Sequence, residues 1–149
     1  LVDLGRNDIG IIAQNNSVEV TKYMEVEYFR YVMHLTSVVR GQLLPQLTAM
    51  DALKSTLPAG TVSGAPKIRA MKRIYELEQE KRGVYAGAIG YLSATGDMDF
   101  AIAIRTMVLK NGRAYVQAGA GIVYDSIPTN EYQETINKAK SMTKIGEMQ

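Results

Sequence analysis

The sequence contains no cysteine. A disulfide framework, a thiolate metal site and a thiol nucleophile are all excluded, and a reducing compartment such as the cytoplasm fits. No apolar run approaches the roughly 20 residues of a membrane-spanning helix. No signal peptide is visible, so no membrane partner is expected. Charge of one sign is also missing: 17 Lys and Arg against 15 Asp and Glu leave a net +2 with no basic block. That balance argues against a nucleic-acid partner or a charged membrane surface and leaves a small substrate. Histidine occurs once, as His34. Repeats, low-complexity tracts and a flexible linker are absent as well. What is present is an ordinary globular composition, 46% hydrophobic and 21% charged over 149 residues, enough for one domain with a core. The chain opens on Leu1 and not on methionine, in LVDLGRND, which reads as the tail of an element already under way. A fragment of a longer chain is expected.

The most informative stretch is QAGAGIVYDSIPTNEYQETINK, from Gln117 to Lys138. The small residues Ala118, Gly119, Ala120 and Gly121 follow an apolar strand, where free backbone N–H groups can meet an anion at close range. A helix comes next, and on it Glu131, Glu134 and Lys138 fall at i, i+3 and i+7 and so share one face. Tyr132, Ile136, Ala139 and Thr143 form the apolar face. Two readings of the carboxylates stand side by side. They complement the helix dipole, with Glu134 and Lys138 an i,i+4 pair worth roughly 0.3 kcal/mol, or they hold a metal.

Along the chain, Leu1 to Leu4 reads as a helix end stopped at Gly5, with a turn at Asn7-Asp8. From Ser17 the composition favours extended structure, with a strand from Tyr31 to Leu43 on which Val32, His34, Thr36 and Val38 share a face. His34 is there either a satisfied core histidine or a catalyst. Thr48 or Asp51 can cap a short helix through Leu57, ended by Pro58. An amphipathic helix follows from Pro66 to about Arg82, with Ile68, Met71, Ile74 and Tyr75 on one side. Ahead of it, Gly60-Thr61-Val62-Ser63-Gly64 is either a capping loop or a place for an anion or ligand hydroxyl, without P-loop spacing. Strands Ala86 to Ser93, Met98 to Lys110 and Ala114 to Ala118 form an antiparallel meander, the last two joined by an Asn111-Gly112 hairpin. On the middle strand Arg105 shares a face with Ala101 and Ala103, a costly setting unless an anion or water meets the guanidinium.

Taken together, LVDLGRND, VMHLTSVVRG, PAGTVSGAPKIRAM, YAGAIGY, AIAIRT, QAGAGIV, DSIPTNEYQET and NKA resemble the C-terminal half of the chorismate-using enzymes, most closely the anthranilate-forming members. The resemblance covers nearly all of the chain. It implies an α+β fold, an antiparallel β-sheet with packed helices that forms part of the two-sheet chorismate-binding enzyme core. Residues 1–149 would then be the C-terminal portion of a catalytic domain.

The same resemblance implies a site. By matching position, Glu134 is a Mg²⁺ ligand, Glu131 a second carboxylate at the metal, and Lys138 attends the same ring carboxylate of chorismate. Arg105 and Tyr85 hold the enolpyruvyl carboxylate, helped by backbone N–H groups in the run Gly119, Ala120 and Gly121. His34 lies beside the departing C4 hydroxyl, with Thr61 near it. The reaction implied is a lyase reaction, from chorismate and ammonia to anthranilate and pyruvate, with ammonia from a glutamine amidotransferase partner. Gly5 replaces the family's usual alanine, and a further glutamate ligand and the general acid are expected upstream of Leu1. Aminodeoxychorismate-forming enzymes share most of the blocks, and a non-catalytic ligand-binding module is the alternative from another class. Unpaired sheet edges make self-association of the piece an expectation.

Overall fold

The computed structural model describes residues 1–28 and 33–143. It mixes helices with antiparallel strand pairs, as the α+β reading requires. The chain divides into two compact units, Leu1–Gly60 with Leu92–Met98, and Thr61–Tyr91 with Asp99–Gln149.

In the first unit, helix α1 spans Val2–Gly10, strand β1 Glu19–Tyr28, strand β2 Met33–Arg40 and helix α2 Ala49–Thr56. Helix α1 runs straight through the expected stop at Gly5 and the expected turn at Asn7-Asp8. Gly5 does not take the positive φ of a C-terminal cap; its N–H donates to the Leu1 carbonyl at 3.1 Å. A Cβ built there would make ordinary van der Waals contact with Val39 Cγ2 at 3.6 Å, so alanine would also fit; α1 packs on β2 and stays helical despite the roughly 1 kcal/mol helix cost of glycine.

Strands β1 and β2 pair antiparallel, with Tyr28 opposite Met33, Val26 opposite Leu35 and Glu27 opposite His34. Alternation puts Val26, Tyr28, Met33 and Leu35 on one face and Glu25, Glu27, His34 and Thr36 on the other. The strand begins within the expected Tyr31 to Leu43 span; Tyr31 and Val32 lie outside the described residues. Leu43 is still engaged, through an isolated antiparallel bridge to Ala13. In β1 the register slips around Lys22, where Met24 takes a φ of 49° and donates its N–H to Ser37 Oγ at 2.9 Å, a bulge in place of a regular ladder. Helix α2 starts on a capping box that uses both candidates: Thr48 accepts from the Asp51 N–H, and Asp51 accepts from the Thr48 N–H.

In the second unit, Thr61 to Ser63 completes the single helical turn α3, Gly60–Ser63, where a loop is expected. Helix α4 spans Lys67–Leu77, one turn shorter than the pattern suggests, because Glu78 leaves the helical region at φ −81°, ψ 121°. Two hairpins follow, β3 Ala88–Leu92 with β4 Met98–Ile102, whose connecting stretch Leu92–Met98 is counted with the first unit, and β5 Met107–Lys110 with β6 Arg113–Val116. They are separate two-stranded pairings and not one meander. The expected continuous strand from Met98 to Lys110 breaks after Ile102, because Arg105 sits in the left-handed region at φ 52°. The turn between β5 and β6 is the two-residue kind foreseen, with Asn111 and Gly112 both at positive φ. Helix α5, Pro128–Thr143, carries the carboxylates and packs against β6. Ala103 and Met142 are buried here.

Candidate active site

The second unit gathers seven of the expected site residues through three connected features. The first is the start of α5. Pro128 opens the helix, and the Ile127 carbonyl accepts from the N–H groups of Asn130 and Glu131 at 2.9 and 3.1 Å. Ahead of it, Ser126 Oγ accepts the Val123 N–H at 2.9 Å and returns its own N–H to the Val123 carbonyl. This closed turn folds the glycine run back over the helix. Between them lies a pocket of about 300 Å³ whose wall includes Ala120, Ser126, Glu131 and Thr135. Ala120 and Glu131 thus share one concavity.

Lys138 is the second feature. Its Nζ donates to the Gly119 carbonyl at 3.0 Å and pairs with Glu134 Oε1 at 2.6 Å. The i,i+4 spacing read from the sequence is therefore realised, and it also ties the helix to the glycine run. A half-exposed pair of this kind is worth only tenths of a kcal/mol to stability. Its consequence is positional: one ammonium fixes both a carboxylate and a backbone carbonyl.

Tyr85 is the third. It sits in a tight turn whose N–H bonds to the Arg82 carbonyl at 3.0 Å. Next to it, the Ala86 N–H donates to the Ala103 carbonyl at 3.0 Å and the Ala103 N–H to the Gly87 carbonyl at 2.9 Å. The phenol ends against the glycine run: a Cβ on Gly119 would lie 2.8 Å from Tyr85 Oη. The absence of a side chain at Gly119 therefore admits the tyrosine hydroxyl, where the sequence suggested a ligand. Gly121 keeps open space above its Cα. Neither glycine's N–H donates a hydrogen bond among the described residues.

Arg105 leaves the same short ladder two residues after the buried Ala103. The chain turns sharply there, with Ile104 donating to the Ile102 carbonyl at 2.8 Å and Thr106 Oγ1 to the Ile104 carbonyl at 2.9 Å. The guanidinium is exposed and pairs with no carboxylate among the described residues. It does not share a strand face with the alanines, so the cost of desolvation foreseen for it does not arise. Positive φ at a non-glycine residue costs on the order of 1 kcal/mol or more and concentrates at functional sites. No glycine or asparagine announces it in AIAIRT.

Thr61 lies exposed in α3. His34 belongs to the first unit, exposed on the polar face of the β1–β2 hairpin opposite Glu27. That exposure places His34 outside the described core. Sequence reasoning passed over Arg82, whose side chain reaches Glu78, the Val62 carbonyl and the Tyr85 ring.

For a metal, Glu131 and Glu134 offer hard oxygen donors one turn apart, and Mg²⁺ usually takes only one or two protein carboxylates, with the remainder water and substrate. No group of three His, Cys, Asp or Glu able to hold a metal occurs among the described residues. The donor set fits an ion shared with an anionic substrate and does not form a closed protein cage.

Against known proteins, the model of the family described as chorismate binding enzyme matches residues 1–144. The chain is 67% identical over 147 residues to anthranilate synthase component 1 of Lactococcus lactis subsp. lactis (strain IL1403), covering 99% of this chain and 32% of that protein. It superposes on the crystal structure of anthranilate synthase component I from Streptococcus pneumoniae TIGR4 with a TM-score of 0.91 at 87% identity, over 96% of this chain and 33% of that one. A Bacillus anthracis protein assigned as a 2,3-dihydroxybenzoate-specific isochorismate synthase shares the fold at a TM-score of 0.85 and 24% identity, over 99% of this chain and 39% of that one. The chain spans about a third of the length of these relatives. With a family match over nearly every residue and a shared fold, the chain belongs to the chorismate binding enzyme family.

Proposed function

We propose that the longer protein containing this chain is a lyase of tryptophan biosynthesis that converts chorismate and ammonia to anthranilate and pyruvate, with ammonia supplied by a glutamine amidotransferase partner. The single observation that carries the reading is the Lys138 bridge between Glu134 and the Gly119 carbonyl. It sets a cation, and a carboxylate that could share a metal ion with a dianionic substrate, beside a glycine run whose N–H groups donate no hydrogen bond among the described residues. The name shared by relatives at 67% and 87% identity supports the choice of product.

In this reading Arg105 and Tyr85 hold the enolpyruvyl carboxylate, the guanidinium by charge-assisted hydrogen bonds and the phenol by a single one. The Gly119 and Gly121 N–H groups add neutral donors to the same anion, with Ala120 small enough between them to leave the approach open. Lys138 attends the ring carboxylate. Glu131 and Glu134 would hold Mg²⁺, which when bound withdraws charge from that carboxylate. His34 serves proton transfer at the C4 hydroxyl as it departs and ammonia adds to the ring, and Thr61 contacts the substrate.

The test is incubation of the full-length protein with chorismate, Mg²⁺ and ammonium. Anthranilate fluorescence with stoichiometric pyruvate is the expected result. An aminated product that retains its enolpyruvyl group would replace this reading with aminodeoxychorismate synthesis, and no turnover would leave a ligand-binding module.

A further inference from the structure

We propose that Arg82 is a positioning residue for the site, one that locks the turn carrying Tyr85 to the turn carrying Thr61. This rests on the reading of Tyr85 and Thr61 as substrate contacts. Three different interactions converge on one guanidinium. Nε and Nη2 donate to the two oxygens of Glu78 at 2.8 and 2.6 Å, a bidentate fork. Nη1 donates to the Val62 carbonyl at 2.7 Å, between Thr61 and the buried Ser63. The guanidinium carbon lies 5.5 Å from the centroid of the Tyr85 ring, within cation–π range.

The side chain is about a quarter exposed, 24%, each of its three nitrogens donates a hydrogen bond to the protein itself, and the Glu78 carboxylate balances its charge. What it does is fix separations: Val62 to Arg82, Arg82 to the Tyr85 ring, and the Tyr85 hydroxyl to Gly119. Only a planar fork reaches a carboxylate with two nitrogens and a carbonyl with the third while presenting a flat face to a ring; an ammonium cannot. Glu78 orients that fork, and the pairing holds its carboxyl below the ordinary range.

The experiment uses the full-length enzyme with fluorotyrosine placed at position 85. In Arg82→Ala the fluorine resonance is expected to shift and broaden without any ligand. KM for chorismate should rise by about tenfold with kcat little changed, less than the roughly hundredfold cost of a full ångström of misplacement. Added guanidinium ion should partly restore KM, and Arg82→Lys should fall between the two. Glu78→Gln, which keeps every contact of Arg82 except part of the fork, should move both readouts the same way to a smaller extent and serves if Arg82→Ala does not fold. An unmoved resonance would overturn the proposal, as would a shifted resonance with unchanged KM, or a lowered melting temperature with both kinetic constants intact. Wild-type protein that forms no anthranilate would overturn the proposed reaction instead, and the fluorine signal would still decide whether Arg82 holds Tyr85.

Discussion

Arg105 combines an exposed guanidinium with a left-handed backbone, and both follow from where the strand ends. A residue at φ 52° turns the chain out of β4, so its side chain leaves the sheet and remains available to an anion. Arg105→Ala in the full-length enzyme should raise KM for chorismate by the equivalent of about 1.5–3 kcal/mol, the worth of a charged hydrogen-bonded contact. Steady-state kinetics read it directly, and an unchanged KM removes Arg105 from the site. His34 is asked for something else, proton transfer, so His34→Ala should lower kcat by about 10² to 10⁴ with KM nearly constant. A loss of kcat only in proportion to the folded fraction would return it to a structural part. At this scale the sequence was legible where spacing alone decides geometry, as for Glu134 and Lys138. It was silent where tertiary contact decides: nothing in AIAIRT signals positive φ, and nothing near Gly119 says that a tyrosine 34 residues earlier fills the space above it.

Helix α5 illustrates why element type was easier to read than element limits. Proline at the first position and a four-residue spacing of charge and apolar groups survive any packing, and the helix forms over Pro128–Thr143. Helix α4 has similar periodicity yet ends at Leu77, where Glu78 turns out of the helical region, and beyond it Arg82 reaches back to the Glu78 carboxylate and to the Val62 carbonyl. Glycine misled in the other direction at Gly5, where α1 packs on β2 and stays helical. Helix α2 gives the cleanest stability test. Thr48→Ala removes the capping acceptor and should cost about 1 kcal/mol, seen as a lower melting temperature with kinetic constants unchanged; an unchanged melting temperature would show that Asp51 caps alone. The Glu78–Arg82 link between α4 and the Tyr85 turn gives a pH test. Its hydrogen bonds to Arg82, the largest influence, hold the Glu78 pKa below its ordinary value. The associated stability is thus present above the unfolded value of about 4.3 and is lost as pH falls through the lower folded value. Acid titration of melting temperature should show a shallower decline below about pH 4 in Glu78→Gln than in the parent. Parallel curves would remove Glu78 from the account.

At the scale of the whole molecule, the hairpin of the first unit carries Val26, Tyr28, Met33 and Leu35 on one face, 52 to 78% exposed. Contiguous apolar surface of this kind draws partners. The 149-residue chain alone should self-associate, and sedimentation should show concentration-dependent species; a strict monomer at all concentrations would contradict this. The chain spans about a third of the length of its relatives, and the fold class and the α5 carboxylates were legible within it because motif order and helix spacing lie inside the chain. The central claim is that those carboxylates and the glycine run serve one substrate and one ion together. An ion and a substrate that share a carboxylate tighten each other in this reading, and linkage makes the factor the same in both directions. Calorimetric titration of Mg²⁺ into full-length protein, with and without an unreactive chorismate analogue, tests this in the parent and in Glu134→Gln. The account predicts positive coupling in the parent and its loss in Glu134→Gln with the fold retained. Equal coupling in both would contradict it, leaving Glu134 as a helix-dipole residue paired to Lys138.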